Sequence, residues 1–344
     1  MQPKRARIIP EVEPHTSLRS AYQLEHVERL MRTLASGDRL ERGGIMVQEH
    51  LATGGKRIRA RLALAATAAL GGQREAALGW AAAVELLHNA TLIHDDIQDG
   101  DRMRRGQPTT WVRHGSSQAI NAGDLLLMLP FLAVSHGDLP AGVRWRLSES
   151  LARHATSIVR GQVEDLDLLS SENFQASSYL RVVRNKTGGL FSLPVEGAAL
   201  ITGHTSEDAQ AMADAFMPLG TLFQMQDDVL DLYGSKGREL PGADIREGKV
   251  SALVVNHLAR HPEEQPWLVE LLRTKREATR QSDVERTIRR FRDSGALADT
   301  LHQIRSLAAS VHTSPVLSAA PELHLVAREL AVLASAPIQH LWAK

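Results

Sequence analysis

The 344-residue chain has no cysteine, which removes disulfides, thiolate nucleophiles and cysteine-bound metals from consideration. Aromatic residues make up only 4%, against 43% hydrophobic residues in all, so the core must be built mainly from alanine and leucine. Strand-like alternation and β-branched runs are scarce, and the pattern predicts an all-α fold. Neither sign of charge is in excess, since 40 basic residues balance 40 acidic ones. A nucleic-acid binder usually carries a basic surplus, so nucleic acid is not an expected partner and any anion site must be a local cluster. No uninterrupted apolar run reaches membrane-spanning length, so no transmembrane segment is expected. The opening Gln2-Pro3-Lys4-Arg5-Ala6-Arg7 does not resemble a signal peptide. A soluble cytoplasmic protein is the expectation. No linker splits the chain, which reads as a loose polar tail over residues 1–17 and one domain over 18–344.

What the chain does have is a pair of acidic clusters. From Glu75 to Ile93 there is no proline and one glycine, which predicts a single helix. It runs into His94-Asp95-Asp96-Ile97-Gln98-Asp99, where a helical turn brings Asp95 and Asp99 to one face with Asp96 flanking. Carboxylates crowded at the end of an apolar helix repel one another unless a cation lies between them. Hard divalent ions such as magnesium take oxygen ligands of this kind and share them with phosphates. A second copy of the Asp-Asp-x-x-Asp spacing, Asp227-Asp228-Val229-Leu230-Asp231, also follows an apolar helical run. One solvated acidic helix end is commonplace; two with the same spacing point to a shared site.

Basic and glycine-rich stretches accompany the acids. A helical pattern from about Ser17 to Leu34, a glycine loop at Arg42 to Gly44 and a helix from Ile45 to Ala52 precede Thr53-Gly54-Gly55-Lys56-Arg57-Ile58-Arg59, and another helix runs on to Leu70. Gly-Gly-Lys invites a nucleotide-binding reading, but a Walker loop needs an earlier glycine and a hydroxyl residue after the lysine, and Arg57 stands there. A cationic helix start remains a candidate anion site. Arg104 and Arg105 lie on the loop after the first acidic cluster. Lys186 and Thr187 precede Gly188-Gly189, where paired glycines in a helical run predict a break. Lys236, Arg238 and Lys249 follow the second cluster. From Ser251 on, the chain is amphipathic helix broken by Pro262, Pro266, Pro315 and Pro321, with no catalytic constellation. Two other metal chemistries fail on counting. Glu85-Leu86-Leu87-His88 matches one Glu-x-x-His element of di-iron bundles, which need two. His94-Asp95 is the dipeptide of helical phosphohydrolases, a reading that leaves the second acidic cluster unexplained.

GGKRIR, DDIQD, RRGQPT, KTGGLF and FQMQDDVLD, in this order between about Gly54 and Ser251, resemble the trans-polyprenyl diphosphate synthase family. The resemblance implies a single all-α domain, an isoprenoid-synthase helical bundle around a central cavity, in a homodimer. The two acidic motifs would face each other across the cavity mouth. It implies condensation of an allylic diphosphate with isopentenyl diphosphate, with magnesium (Mg2+) as cofactor. Carried over by motif, Asp95, Asp99 and Asp227 hold the metal with Asp96 and Asp231 assisting. Arg104, Lys186, Thr187, Gln224 and Lys249 take the allylic diphosphate, and Lys56, Arg59, His88 and Arg105 take isopentenyl diphosphate.

Some positions depart from the family pattern. Ala60 follows Arg59 where proline is usual, Ser251-Ala252 stands where Ser/Thr-x-Pro is typical, and Arg238 takes the place of a lysine. None removes an expected metal ligand, which argues against a regulatory, non-catalytic subunit. A class I terpene cyclase shares the fold, but the basic set at Lys56, Arg59 and Arg105 argues against it. Within the family, a bulky aromatic four or five residues before the first aspartate limits chain growth. Here those residues are Thr91 and Ala90, both small, so the expected floor is deeper, at Leu87 or at Met128 or Phe131 of a neighbouring helix. The implied product is of geranylgeranyl length or longer.

Overall fold

The computed structural model describes residues 17–20, 24–37, 41–234 and 241–342. Among these residues the only strands are the two-residue pair Met103–Arg104 and Gln107–Pro108, and the rest of the regular structure is helix, as the composition requires. Helices α1 (Leu24–Ser36), α2 (Arg42–Ala52) and α3 (Ile58–Ala69) lead into α4 (Leu78–Gln98), which carries the first acidic motif. After the strand pair come α5 (Thr110–His114), α6 (Ser116–Val134) and the long α7 (Ala141–Ser170). The middle of the chain forms α8 (Ala176–Val183), α9 (Gly189–Ile201), α10 (Ser206–Asp214) and α11 (Met217–Tyr233), the carrier of the second motif. The remainder is α12 (Ala243–Arg246), α13 (Ala252–Arg260), α14 (Gln265–Arg273), α15 (Gln281–Asp293), α16 (Ala296–Thr313), α17 (Pro315–Ala319) and α18 (Pro321–Ser335).

Pro262, Pro266, Pro315 and Pro321 mark helix starts, not interruptions: Pro262 opens a 3-10 turn, and Pro266, Pro315 and Pro321 occupy the first turns of their helices. There the missing N–H would have had no partner anyway. Three sequence expectations need correction. Residues 17–20 form a turn, and the first described helix spans Leu24–Ser36. The glycines at 43 and 44 belong to α2, where a β-carbon on Gly43 would stand 3.4 Å from Leu125 and Gly44 is buried. Ser17, assigned to the loose tail, is tied down: its hydroxyl donates to Glu329 at 2.9 Å and the Leu18 N–H to the same carboxylate at 2.8 Å. The rest of the tail, residues 1–16, lies outside the described residues, as do Lys236 and Arg238.

Helices α4 and α6 are antiparallel and approach closely through small residues. Ala83 and Ala90 on one and Ala119, Ala122 and Ala133 on the other have no exposed surface. Gly79 sits against the Ala133 carbonyl and Gly123 against the His94 ring, and a β-carbon at either would overlap its neighbour. Segments Arg74–Gln98 and Ser116–Val134, each interrupted by charge, are long and apolar enough to cross a membrane by length and composition alone. The first spends its apolar residues on the core, with 72% of its apolar window buried in the bundle against 44% for the second.

Trp80 anchors the centre. Its indole is fully buried, donates to the Pro194 carbonyl at 3.1 Å and lies over Gly197, whose missing β-carbon makes room for the ring. Gly197→Ala is therefore expected to destabilise the fold by about 1–3 kcal/mol through overpacking. Urea unfolding followed by helical circular dichroism reads this; an unchanged midpoint would mean that the ring has slack.

Candidate active site

The first acidic motif ends α4 in a Schellman turn. Gly100, with φ +67°, is the left-handed residue, and the N–H groups of Gly100 and Asp101 return to the carbonyls of Ile97 and Asp96 at 3.3 and 2.9 Å. This fixes Asp95 and Asp99 at the negative end of a helix dipole, where carboxylates are least welcome. Cations answer them. Lys249 Nζ lies 2.7 Å from Asp99, and Lys186 Nζ lies 3.8 Å from Asp95 and 2.8 Å from Asp165 on α7. Burial, with Asp99 adjacent, still raises the Asp95 carboxyl above the usual range against the pull of Lys186 and Lys249. Burial also opposes the charge on Lys249, but Asp99, Glu247 and Asp244 outweigh it and hold the ammonium well above its ordinary value.

Asp96 points elsewhere. A residue one position along a helix is rotated about 100° from its neighbour, and Asp96 is buried on the flank, gripped by Arg104 Nε at 2.7 Å and Nη2 at 2.6 Å. Burial pushes its carboxyl up to about 6 against the Arg104 contact. The second motif repeats the division. Asp227 is exposed, while buried Asp228 accepts from the Tyr179 hydroxyl at 2.7 Å, the Gln224 amide at 3.0 Å and the Ala252 N–H at 2.8 Å. Asp231 is buried and accepts the Asp244 N–H at 3.1 Å, which ties α11 to the segment leading to Lys249.

The expected break at Lys186 is a π-helical turn, Arg184–Gly188, between α8 and α9. Such bulges favour functional sites because they re-aim side chains without ending the helix. This one lies between the motifs: Lys186 reaches Asp95, and the Thr187 hydroxyl donates to Gln224 at 3.1 Å. Glycines let the backbones close around it, since a β-carbon on Gly220 would stand 2.6 Å from the Gly188 Cα and one on Gly161 2.7 Å from the Lys186 nitrogen.

Beside Asp96 and Arg104 lies the basic cluster. Arg105 and Gly106 have φ +52° and +75°, the signature of a type I′ hairpin, and Arg57, at the start of α3, has φ +50°. A left-handed arginine is strained, and two of them stand in this cluster. Arg105 donates to the Gly54 carbonyl, and Arg57 lies 3.7 Å from Glu85. Arg59 stacks 4.9 Å over the Phe191 ring, and burial pulls its guanidinium down to about 10. Burial, then Arg59, Arg105, Arg104 and His50, hold the His88 imidazole neutral. Arg59 Nε and His88 Nδ1 are both buried without a hydrogen-bond partner. Lys56 is exposed at the rim.

Of the chain-length residues, Thr91 is partly open, one turn before Asp95 on the same face, whereas Ala90 and Leu87 are packed into the core. Met128 and Phe131, considered as a floor, are instead exposed on the outside of α6. Sequence reasoning missed several groups. Asp165 was within reach, standing in an acidic helical stretch, but Tyr179, His50, Glu247 and Arg276 carry no local signal. Arg276, from the C-terminal third, donates to the Asp99 carbonyl at 3.2 Å and to Asp101 at 3.1 Å. Among the described residues no three histidine, aspartate or glutamate side chains form a ready-made metal cluster.

His50 gives a pH test. Burial first, then Arg104 and Arg105, lowers it from 6.5 to about 3. Below pH 6.5 the unfolded chain takes a proton that the folded chain refuses, so this contribution to stability is complete above 6.5 and is lost as pH falls towards 3. The slope is up to about 1.4 kcal/mol per pH unit. His50→Gln is expected to flatten the denaturation midpoint between pH 6.5 and 5; an unaltered slope would mean that the imidazole is protonated in the fold.

Residues 45–290 match the model of the family described as polyprenyl synthetase. A geranylgeranyl diphosphate synthase of Methanosarcina mazei is 37% identical over 205 residues, covering 59% of this chain and 63% of that one. A geranylfarnesyl diphosphate synthase of Aeropyrum pernix is 34% identical over 252 residues, covering 71% and 77%. The crystal structure of a polyprenyl synthase from Caulobacter crescentus, in complex with calcium and isoprenyl diphosphate, superposes with a TM-score of 0.82 at 28% identity, over 96% of this chain and 98% of that one. With a family match spanning most of its length and that fold around its paired acidic motifs, the chain belongs to the polyprenyl synthetase family, the trans-prenyltransferases.

Proposed function

We propose that the chain condenses an allylic diphosphate with isopentenyl diphosphate to give a trans-polyprenyl diphosphate. The observation that carries this reading is the division of the site into two anion-binding halves. One interleaves Asp95 and Asp99 with Lys186 and Lys249; the other presents Arg59 and His88, whose buried polar atoms Arg59 Nε and His88 Nδ1 lack partners, beside Arg105. Such orphaned donors cost stability unless a ligand satisfies them. The first half takes the allylic diphosphate, with Arg104, Thr187 and Gln224 shaping it, and the second takes that of isopentenyl diphosphate, with Lys56 at the rim. A terpene cyclase would have no use for the second half.

The donor set fits magnesium. It is all oxygen, and magnesium keeps waters and shares substrate phosphates instead of requiring a complete protein cage, consistent with acidic side chains that form no cluster of their own. Asp95, Asp99 and Asp227 would hold it; Asp96 and Asp231, engaged by Arg104 and Asp244, act from behind. When bound, the metal supplies electrophilic stabilisation of the diphosphate leaving group. Lys186 and Lys249 add positive charge where negative charge develops as the allylic carbon–oxygen bond breaks. Arg59 and Arg105 hold the second substrate with its double bond towards the resulting cation. The final proton goes to the departing diphosphate, which is released beside the carbon that loses it. The reaction requires that water be kept from the cation, which it would otherwise quench to an alcohol.

A homodimer is part of the proposal. Helices α6 and α7 expose Ile120, Met128, Phe131, Leu132, Trp145, Val159 and Val163, and large apolar side chains exposed on neighbouring helices are what a subunit interface would cover.

Asp95→Ala and Asp227→Ala are each expected to lower turnover by at least about a thousandfold, as loss of a charge-stabilising group does, with the helical spectrum intact. Chelation with EDTA should do the same, reversed by magnesium. Extraction and chromatography of dephosphorylated products from isopentenyl diphosphate plus each allylic primer reads the result, and wild-type-like turnover in either variant overturns the assignment.

Product length follows from α4. Thr91, small and partly open one turn before Asp95, puts no bulky side chain there, in keeping with relatives named for geranylgeranyl and geranylfarnesyl products, and a product of geranylgeranyl length or longer is expected. One helical turn is about 5.4 Å, close to the reach of one isoprene unit. Thr91 is the residue to enlarge, because Ala90 lies in the α4–α6 packing, where a large side chain would test the core instead. Thr91→Phe should shorten the products with substrate still consumed; an unchanged distribution places the floor on another helix.

A further inference from the structure

We infer that Arg276 and Glu247 form a latch that sets Lys249 against the first acidic motif, and that Arg276 is thereby a positioning residue for the allylic diphosphate half of the site. The inference rests on the function proposed above.

The latch joins three segments far apart in sequence. Lys249 Nζ lies 2.7 Å from Asp99 and 2.8 Å from Glu247. Arg276 Nη2 lies 3.1 Å from Asp101 and 3.4 Å from Glu247, and its Nη1 donates to the Asp99 carbonyl at 3.2 Å. Three carboxylates thus alternate with two cations around the C-terminus of α4, and each cation touches Glu247 and a residue of the acidic loop.

Two features separate this network from an ordinary surface ion pair. Glu247 is buried, with 1% of its side chain exposed. Neither of its oxygens accepts a well-formed hydrogen bond, so its two cations are its compensation, and removing one strands a buried carboxylate. The network also completes a frame. The Asp231 carboxylate holds the Asp244 N–H, and the Lys249 N–H returns to the Asp244 carbonyl at 2.8 Å. Residues 243–249 are thereby fixed to the second motif at one end and to the first motif, through Glu247 and Arg276, at the other. Arg276 itself stands on a closed turn, with the N–H groups of Ala278 and Thr279 both on the Lys275 carbonyl. It touches protein groups on the outer side of Lys249, so its effect on substrate passes through that lysine.

The test compares Arg276→Gln, Arg276→Lys and Glu247→Gln with the parent chain at saturating magnesium. Arg276→Gln should raise KM for the allylic diphosphate about tenfold, the scale of one charge-assisted contact, and leave KM for isopentenyl diphosphate within about twofold. Arg276→Lys should recover part of the loss, and Glu247→Gln added to Arg276→Gln should cost little more, because the pair acts as a unit. Unchanged KM values, or an equal rise for both substrates, would overturn the inference, as would a loss of kcat alone. Thermal midpoints of the same variants give a reading independent of turnover. Non-additivity of the two glutamine substitutions supports the latch even if the parent chain proved inactive with every primer, a result that would count against the proposed function; additive midpoints refute the latch.

Discussion

A helix ends in unpaired carbonyls and a negative dipole, and this protein places clustered carboxylates at two such ends. That conflict governs the surroundings of the site. At α4 the backbone is satisfied by the turn at Gly100, leaving the side-chain charges of Asp95 and Asp99 to be met by Lys186 and Lys249. At α11 the buried Asp228 is met by a hydroxyl, an amide and a backbone N–H. The lysines come from segments 63 residues apart in sequence, so the acidic ends can be tolerated only when the whole bundle has assembled around them.

Bringing Lys186 between two helices demands unusual proximity. The π-turn displaces one residue outwards, and glycines at 161, 188 and 220 let neighbouring backbones come within contact distance of it. The same economy of side-chain size appears at Gly79, Gly123 and Gly197 around α4. The scarcity of aromatics noted in the sequence is the compositional face of this packing: small residues allow close helix axes, and the few large rings, such as Trp80, need glycine opposite them.

Much of this was legible in the sequence because it is local. Asp-Asp-x-x-Asp after an apolar helical run fixed the carboxylate face, and Gly188-Gly189 announced the irregular turn beside Lys186. Helix boundaries near glycine were less legible: Gly43 and Gly44 read as a loop, but lie inside α2. What stayed hidden is what depends on tertiary return. Nothing around Tyr179 says that its hydroxyl will meet Asp228 on α11, and nothing in the charged C-terminal third marks Arg276 out from the other arginines. Buried ion networks assembled from distant turns have no period to detect.

The two motifs share a division of labour that the helix itself imposes. Residues four apart point the same way, so the first and last aspartates of the spacing share a face, while the second is rotated towards the flank. At both sites that second residue, Asp96 or Asp228, is buried and bonded to protein: to Arg104 in one case, and to Tyr179, Gln224 and Ala252 in the other. A hydrogen bond to a charged group contributes roughly 1.5–3 kcal/mol, more than the rotamer entropy lost in ordering a short side chain. The middle aspartate therefore locks the rotation of the helix about its axis, and with it the direction of the outer pair. The proposed metal site requires such a lock, because it keeps the direction of the outer carboxylates fixed by the protein alone.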